Sequence, residues 1–332
     1  GLNYNWCMTE AQANATYRGF NYPHQIAVWY ALYRVARNHP KLDTKQDWAF
    51  YLERAANTTI RLGYARIGYM DGTVTREVLR SVLEEAKEAK GSGLWTLLGQ
   101  HILAGEKSRA DYFVTAPNPY GSEFSYDTTG QEEVVVWNMY FGNESVAKKT
   151  VDHVLSYMRN SPTWAYHGGA RSLGDIGNNG KYLATFGTSV ADRGNMHYRS
   201  GLNMIPLIEW YRRHPEEGTF LLEVAMGAIS GQMANIDPRT GATSMMMHMV
   251  AHSLAYDPHS GDYGLGFFGN ALESGAYYVE DPTLGPLCFL CEVGGGGVLT
   301  AKDAYRRAFY VEPLGLYLQT ECGEIAAVTY AG

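Results

Sequence analysis

The chain has 332 residues and a formal net charge of -7, from 27 lysines and arginines against 34 aspartates and glutamates. This balance argues against a protein that holds a nucleic-acid backbone mainly by electrostatics. The sequence has no run of 18 apolar residues, so a membrane span is not expected. Only 18% of the residues are charged, whereas 25 are tyrosine and 7 are tryptophan. Aromatic rings, amides and glycine-rich loops therefore supply much of the polar surface.

The N-terminal sequence suggests a processed chain, and glycosylation sequons suggest a secreted one. It begins at Gly1 without a methionine and without a charged-then-apolar signal peptide, which we interpret as a processed or truncated chain, the later part of a longer polypeptide. Three N-glycosylation sequons begin at Asn14, Asn57 and Asn143. We therefore expect an extracellular glycoprotein.

The four cysteines are Cys7, Cys288, Cys291 and Cys322. So few in so long a chain indicate a core that does not depend on disulfides. The spacing of Cys288 and Cys291 invites a zinc or redox interpretation, but zinc needs a second ligand pair and a thioredoxin-type site needs a helix start. Structural cysteines are the favoured interpretation, because this pair lies in an apolar run typical of a strand.

Apolar residues at three- and four-residue steps predict consecutive helical hairpins. The first pairs a helix over 22–38, apolar on nearly all sides, with one over 45–64. A fifth pair is weakened by Gly269 and Gly275. The remaining predicted pairs are 74–90 with 93–114, 131–141 with 144–159, 200–213 with 216–235, and the fifth, 244–254 with 267–280.

The sequence changes character near residue 287, where valine, tyrosine, phenylalanine and leucine runs are broken by glycines. Short strands are predicted over 307–312, 315–320 and 324–330, as a small antiparallel sheet. We therefore divide the chain into a helical catalytic domain, 1–286, and a short β-rich segment, 287–332, that closes the same domain.

Three segments carry a family resemblance: Arg18-Gly-Phe-Asn-Tyr-Pro-His24, Tyr126-Asp-Thr-Thr-Gly-Gln-Glu-Glu133 and Ser260-Gly-Asp-Tyr-Gly-Leu-Gly-Phe-Phe-Gly269. Together with the hairpins they resemble the six-hairpin glycosidase superfamily, and within it a microbial family of secreted proteins. The resemblance implies a mainly α fold, an (α/α) toroid with a small C-terminal antiparallel β region. It also implies an upstream β-rich region of the same polypeptide. Five predicted hairpins instead of six are a departure from the pattern.

Acidic residues cluster at the turn that opens the helix predicted from residue 131. Glycosidic bond cleavage needs one carboxyl to protonate the leaving oxygen and another to activate water or attack the sugar carbon. A second acidic loop, near residue 262, offers a distant partner. The predicted catalytic residues are Asp127, Glu132, Glu133 and Asp262.

Each of these acids also has a structural interpretation. Thr129 to Glu132 fits a capping box, in which Glu132 bonds back to the backbone of Thr129. Asp127 suits a turn. Glu133 shares a helix face with Trp137, which suits either the core or the floor of a sugar subsite.

Aromatic, arginine and histidine side chains in the long loops and near the first helix suit a sugar chain and its hydroxyls, or acidic sugars through the arginines. The loop over 163–199 is the densest, although its own Arg–Asp pairs would explain it equally well. The predicted substrate-binding residues are Tyr22, His24, Tyr126, Trp137, Trp164, His167, Arg171, Asp192, Arg193, Tyr198, Arg199 and Tyr263.

A metal site is the weaker alternative. His248 and His252 are four residues apart, but Met249 stands where a zincin carries its glutamate base. Nucleotide-binding and nucleophile-elbow motifs are not matched. We therefore expect no metal and no cofactor.

The sequence predicts a glycoside hydrolase that cleaves an oligo- or polysaccharide by carboxylate acid and base catalysis, in polysaccharide degradation and carbohydrate metabolism. Two alternatives stay open. One is a polysaccharide lyase that removes a proton next to a uronate carboxylate. The other is a glycan-binding module without catalysis. Neither nucleic acid nor membrane is an expected partner.

Overall fold

The computed structural model describes nine ranges of the chain. The side chains of 157–159, 198–200 and 230–233 are not described. The described residues are 22–42, 44–64, 68–70, 72–88, 93–117, 130–159, 198–233, 271–273 and 275–331.

The described helices follow the predicted hairpins closely, and each odd-numbered helix packs against the next. Local signals set the ends: at α2 the Asp47 carboxylate accepts from the Phe50 N–H at 2.8 Å, and the Gly63 N–H bonds back to the Thr59 carbonyl. The helices are α1 Tyr22–Asn38, α2 Trp48–Leu62, α3 Gly72–Glu88, α4 Gly93–Thr115, α5 Gln131–Tyr140, α6 Glu144–Arg159, α7 Tyr198–Arg213 and α8 Phe220–Met233.

Helices α1, α3 and α5 lie side by side and point in the same direction. Tyr30 on α1 bonds to Ser81 on α3 at 3.1 Å, and one turn later Tyr33 bonds to Glu85 at 3.1 Å. On the other side of α3, Trp137 of α5 donates to Thr75 at 3.1 Å. A Cβ at Gly72 would come within 2.6 Å of the Glu133 Cα, so α3 and α5 meet closely at their N-terminal ends.

Helix α7 continues this parallel inner layer. Glu144 begins α6, directly after the C-terminal end of α5. It contacts Arg213 at 2.7 Å and His214 at 2.8 Å, both at the C-terminal end of α7, so the C-terminal ends of α5 and α7 lie together. Helices α5 and α7 also pack directly together. The intervening helices α2, α4 and α6 return in the opposite direction on the more exposed side. The described hairpins thus form two layers, with the inner helices parallel.

The C-terminal region forms two small sheets, with strand orders β2-β1-β5-β6 and β3-β4-β7. Neighbouring strands pair antiparallel except β1 with β5, which are parallel. The strands are β1 Ala276–Asp281, β2 Gly285–Phe289, β3 Cys291–Val293, β4 Val298–Ala301, β5 Ala308–Val311, β6 Leu316–Gln319 and β7 Ala327–Thr329.

Two predictions about this region need correction. The helix predicted over 267–280 is wrong beyond residue 273, because Ala276–Asp281 is a strand. Its alanine, tyrosines and valine are buried together and are residues that favour a sheet. The sheet is also not purely antiparallel. The change of character at residue 287 falls inside β2, and β1 precedes it.

The four-stranded sheet packs on the C-terminal end of α7, and the residues that flank it contact α1 and α3. Tyr277, Val279 and Tyr310 belong to the same buried core as the helices. Glu321, after β6, bonds to Arg34 of α1 and Arg80 of α3, each at 2.9 Å. The sheet region therefore contacts α7 at its C-terminal end and α3 along its N-terminal half and middle.

Of the cysteines, Cys288 and Cys291 form a disulfide at the passage from β2 to β3, and Cys322 carries an exposed free thiol. The bond supports the structural interpretation of that pair. Cys7 lies outside the described residues. Among the described helices, none is long and apolar enough to cross a membrane.

Candidate functional site

Several of the predicted site residues lie at the N-terminal ends of the inner helices. Tyr22 and His24 lie in the first turn of α1 and are half-buried. Glu132 and Glu133 lie in the first turn of α5. Tyr198 and Arg199 open α7, although their side chains are not described. Since α1, α5 and α7 are parallel, these six predicted residues share one end of the molecule.

Helix α5 begins at Gln131, and its N-cap is Gly130, with φ 96° and no side-chain cap hydrogen bond. A Cβ at Gly130 would lie 2.6 Å from the Gly68 carbonyl carbon. A glycine is therefore needed there both for the positive φ and for the close approach of residue 68. Glu132 is consequently the second helical residue, whereas a capping box needs the third. The capping-box prediction is wrong in its register, and Thr129 itself lies outside the described residues.

Glu132 is 1% exposed and is placed toward the interior of the inner layer. Val134, two residues later, packs with Phe113 of the outer helix α4. At about 100° per residue, Glu132 lies about 200° around α5 from Val134. Its carboxyl therefore faces away from the outer layer.

Glu133 is held in a buried ion pair. Its Oε1 accepts from Arg109 Nε at 2.6 Å and its Oε2 from Arg109 Nη2 at 2.9 Å, while the Tyr69 backbone N–H donates to Oε2 at 2.8 Å. Burial raises the pKa of Glu133, and Arg109 and the Tyr69 N–H oppose that shift. The bidentate pair locks the first turn of α5 to α4.

A second buried carboxyl lies beside this pair. The Tyr69 hydroxyl donates to both oxygens of Glu106, at 2.7 and 2.8 Å, and the Arg109 guanidinium lies 4.4 Å from the centre of the Tyr69 ring. Burial raises the pKa of Glu106 to about 8, with Arg109 opposing and Glu133 adding to the rise. Glu106 therefore carries a proton at neutral pH, which leaves Arg109 and Glu133 as a balanced pair. We call Tyr69, Glu106, Arg109 and Glu133 the α4–α5 cluster.

Trp137 is a core residue. It is 1% exposed, its indole N–H donates to Thr75, and its ring stacks on Phe141 with centroids 5.8 Å apart. The sequence suited Trp137 either to the core or to the floor of a sugar subsite, and its burial and contacts place it in the core. The described contacts of Trp137 support the core interpretation, and its contact with a sugar stays a prediction.

A third set of charges lies deeper, near the sheet. Arg76 donates to Glu209 at 2.8 and 2.9 Å and to Glu273 at 3.2 Å, and Arg212 bonds to both glutamates. Arg76 and Arg212 hold the pKa of Glu209 low against burial, whereas burial and the neighbouring Glu209 raise the pKa of Glu273 to about 8. The two carboxyls share their arginines, so this set joins α3 and α7 to the segment that enters β1.

The remaining predicted site residues lie outside the described residues. Two of them, Asp127 and Asp262, are candidates for the acid and base roles. In the chain, Asp127 precedes α5 and Asp262 precedes the helical residues 271–273. The full set is Asp127, Asp262, Tyr126, Trp164, His167, Arg171, Asp192, Arg193 and Tyr263.

Reasoning from the sequence missed the partners of Glu133. Arg109 and Glu106 lie one turn apart on α4, and such a pair is normally a solvated helix face. The signal available was their position among apolar residues, since Ile102, Ala110 and Phe113 are buried on the same helix. Within the described residues, no group of three or more histidine, cysteine, aspartate or glutamate side chains is placed to hold a metal ion.

The chain matches the model of a protein family over residues 2–332, and this family is described as a family of unknown function (DUF5695). No curated protein and no solved structure matches the chain.

Proposed function

Since the chain belongs to the DUF5695 family, whose function is unknown, we propose from its geometry that it is a glycoside hydrolase whose active site lies at the N-terminal face of the inner helices. The observation that carries this proposal is the parallel direction of α1, α3, α5 and α7. It brings the first turns of α1, α5 and α7, and the predicted residues they carry, to one face.

The order of the chain supports this placement. The acidic and aromatic segments 118–129 and 160–197 lead into α5 and α7 respectively, and the segment that contains Asp262 leads into the helical residues 271–273. A chain must enter a helix at its N-terminal end. The first turns of α5 and α7, which these segments precede in the chain, lie at the proposed face.

In the proposed reaction, Glu132 and either Asp127 or Asp262 share the acid and base roles. One carboxyl gives its proton to the glycosidic oxygen, and the other attacks the sugar carbon or removes a proton from the attacking water. A carboxyl separation of about 5 to 5.5 Å corresponds to retention and about 6.5 to 9.5 Å to inversion.

Glu133 has a different part in this proposal from the one predicted. Because both of its oxygens are bonded to Arg109, it positions the first turn of α5 and thereby Glu132. Tyr22 and His24, in the first turn of α1, are proposed to contact the sugar chain.

The finer architecture belongs to the same proposal. Parallel inner helices with antiparallel outer helices are the arrangement of an (α/α) toroid, and the four described hairpins would form part of such a ring. An extracellular glycan substrate fits a secreted chain, and it fits the exposed Asn57 of the second sequon.

The test is turnover on a panel of polysaccharides by the wild type and by Glu132→Gln, Asp127→Asn and Asp262→Asn. The matched control is Asp152→Asn, an exposed acid on α6. New reducing ends, lost by about 100-fold or more in Glu132→Gln and retained in Asp152→Asn, support the proposal. Equal turnover in all variants contradicts the assignment of the acids.

The panel also separates the alternatives. Products with the ultraviolet absorbance of an unsaturated uronate indicate a lyase and contradict the hydrolase. Binding without turnover on every glycan indicates a binding module.

A further inference from the structure

A groove opens on the outer layer between the C-terminal end of α2 and the C-terminal half of α4. It has a volume of about 320 Å³. Its walls include Gly63, Tyr64, His101, Gly105, Ser108 and Arg109. The predicted acids are not among them, so the groove is distinct from the site proposed above.

Two glycines form the groove where the helices cross. A Cβ at Gly63 would lie 3.5 Å from the Gly105 Cα, so the backbones of α2 and α4 approach each other directly. Among the described residues, a Cβ at Gly105 would meet only the Gly63 Cα within 4 Å. The floor is therefore backbone, with its shape fixed by two regular helices.

The rim is aromatic and the walls are polar. Tyr64 is 75% exposed and Tyr112 is 38% exposed. His101 and Ser108 are exposed on α4 and offer ring nitrogens and a hydroxyl to the same space. The Arg61 guanidinium lies 6.0 Å from the centre of the Tyr64 ring, a weak contact at an exposed position.

We propose that this groove is a second carbohydrate-binding site, which holds one or two pyranose units of a glycan chain outside the active site. A pyranose has an apolar face of C–H groups and an edge of hydroxyls. The Tyr64 ring supplies a flat apolar surface for the first, and His101 and Ser108 supply hydrogen bonds for the second. The choice of a glycan as ligand rests on the proposed function.

The groove also reaches the α4–α5 cluster. Arg109 lines it and holds Glu133 in the first turn of α5. A sugar chain bound in the groove would thus lie against the helix that positions Glu132. Such a site keeps a long polysaccharide near the active site and raises its effective concentration there.

The experiment is calorimetric titration of the full chain with glucose-, xylose-, mannose- and galacturonate-based hexasaccharides, in the Glu132→Gln background so that no probe is consumed. Tyr64→Ala removes the exposed ring. Gly105→Ala puts a methyl group on the groove floor, with its nearest contact, the Gly63 Cα, at an ordinary 3.8 Å. Tyr305→Ala is the control, an equally sized ring exposed in the β region.

For at least one hexasaccharide we expect Tyr64→Ala to weaken binding by about three- to tenfold. Gly105→Ala should weaken it while leaving the protein at least as stable, because alanine favours a helix. Tyr305→Ala should bind like the background. Unchanged affinity in both groove variants, or no binding of any hexasaccharide, overturns the proposal.

The outcomes distinguish this proposal from the proposed function. If the wild type hydrolyses no glycan but binds one in a way that depends on Tyr64, the hydrolase proposal is wrong and the proposal of a binding groove is supported. Hydrolysis by the wild type with unchanged affinity in the groove variants sinks the groove alone.

Discussion

At the scale of single residues, the first turn of α5 places two adjacent glutamates in different environments. Glu133 is turned toward α3 and α4 and is held by Arg109 and the Tyr69 N–H. Glu132 is turned away from the outer layer. Adjacent helical positions differ by about 100°, and this difference separates a positioning residue from a candidate catalytic one.

The Arg109–Glu133 pair should be important for stability. Its side chains are 3% and 1% exposed, so Arg109→Leu would leave a buried carboxylate without its main partner. We expect a loss of about 3 to 5 kcal/mol in the free energy of unfolding, measured in urea. The control is Lys107→Leu on the same helix, which removes an exposed pair with Asp111 and should cost less than about 1 kcal/mol. Equal losses in the two variants would contradict the burial of the first pair.

Glu106 should make stability fall as pH rises. Its pKa is about 8 in the folded state, against 4.5 ordinarily. Between these values the unfolded chain has released the proton while the folded chain keeps it, so each rise in pH favours unfolding. The contribution begins near pH 4.5 and levels off above pH 8, with a slope of up to about 1.4 kcal/mol per pH unit.

Comparison of Glu106→Gln with the wild type isolates this effect, because Glu273 contributes a slope of the same sign in both proteins. The amide resembles the neutral carboxylic acid, so the variant should lose part of the slope between pH 5 and 8, measured by urea unfolding at several pH values. Asp152→Asn should retain the slope. A variant that follows the wild-type curve would show that Glu106 is ionised in the folded protein.

At the scale of elements, the hairpins follow from apolar spacing, and the sequence predicted α1 to α8 to within a few residues at each end. The same apolar patterns failed where contacts with distant parts of the chain decide the local structure. The apolar run Ala276–Val279 was assigned to a helix, yet it is buried between β2 and β5 as a strand. Short apolar runs do not distinguish a buried strand from a buried helix.

The start of α5 shows a similar limit. Thr129 to Glu132 has the residues of a capping box, but Gly130 takes a left-handed conformation against Gly68 and begins the helix one residue later. The approach of residue 68 is a tertiary contact and leaves no local pattern. The partner of Glu133 was hidden for the same reason, since Arg109 is on another helix.

Two glycines that flank α5 provide a matched test. Gly130 and Gly142 both have positive φ, 96° and 80°. A Cβ at Gly130 meets Gly68 backbone at 2.6 Å, whereas one at Gly142 meets nothing within 4 Å. Gly142→Ala should cost about 1 to 2 kcal/mol from backbone strain alone, and Gly130→Ala clearly more. Urea unfolding measures both, and equal costs would mean that Gly68 does not approach the helix.

At the scale of the whole molecule, the sheet and the helices share one core. Tyr277 and Tyr310 contact each other and Tyr211 of α7, with ring centroids 5.6 to 6.4 Å apart. Arg76 and Arg212 add buried ion pairs to Glu273, just before β1. The β region therefore shares its core with α7 and its buried charges with α3, while the candidate site is proposed at the first turns of α1, α5 and α7.

This shared core predicts cooperative unfolding. Tyr310→Ala, in β5, should cost about 3 to 5 kcal/mol and should lower the helical transition together with the sheet. Circular dichroism reports the helices, and tryptophan fluorescence reports mainly the same helices, which carry five of the seven tryptophans, Trp29, Trp48, Trp95, Trp137 and Trp210. A helical transition unmoved by Tyr310→Ala would contradict the single core.

The most direct measurement of the proposed function is the crystal structure of the Glu132→Gln variant soaked with an oligosaccharide that the wild type cleaves. The account predicts a sugar chain across the first turns of α1, α5 and α7, with a glycosidic oxygen or sugar carbon within reach of residue 132. A cleaved substrate bound elsewhere, with residue 132 remote from every sugar unit, would contradict it.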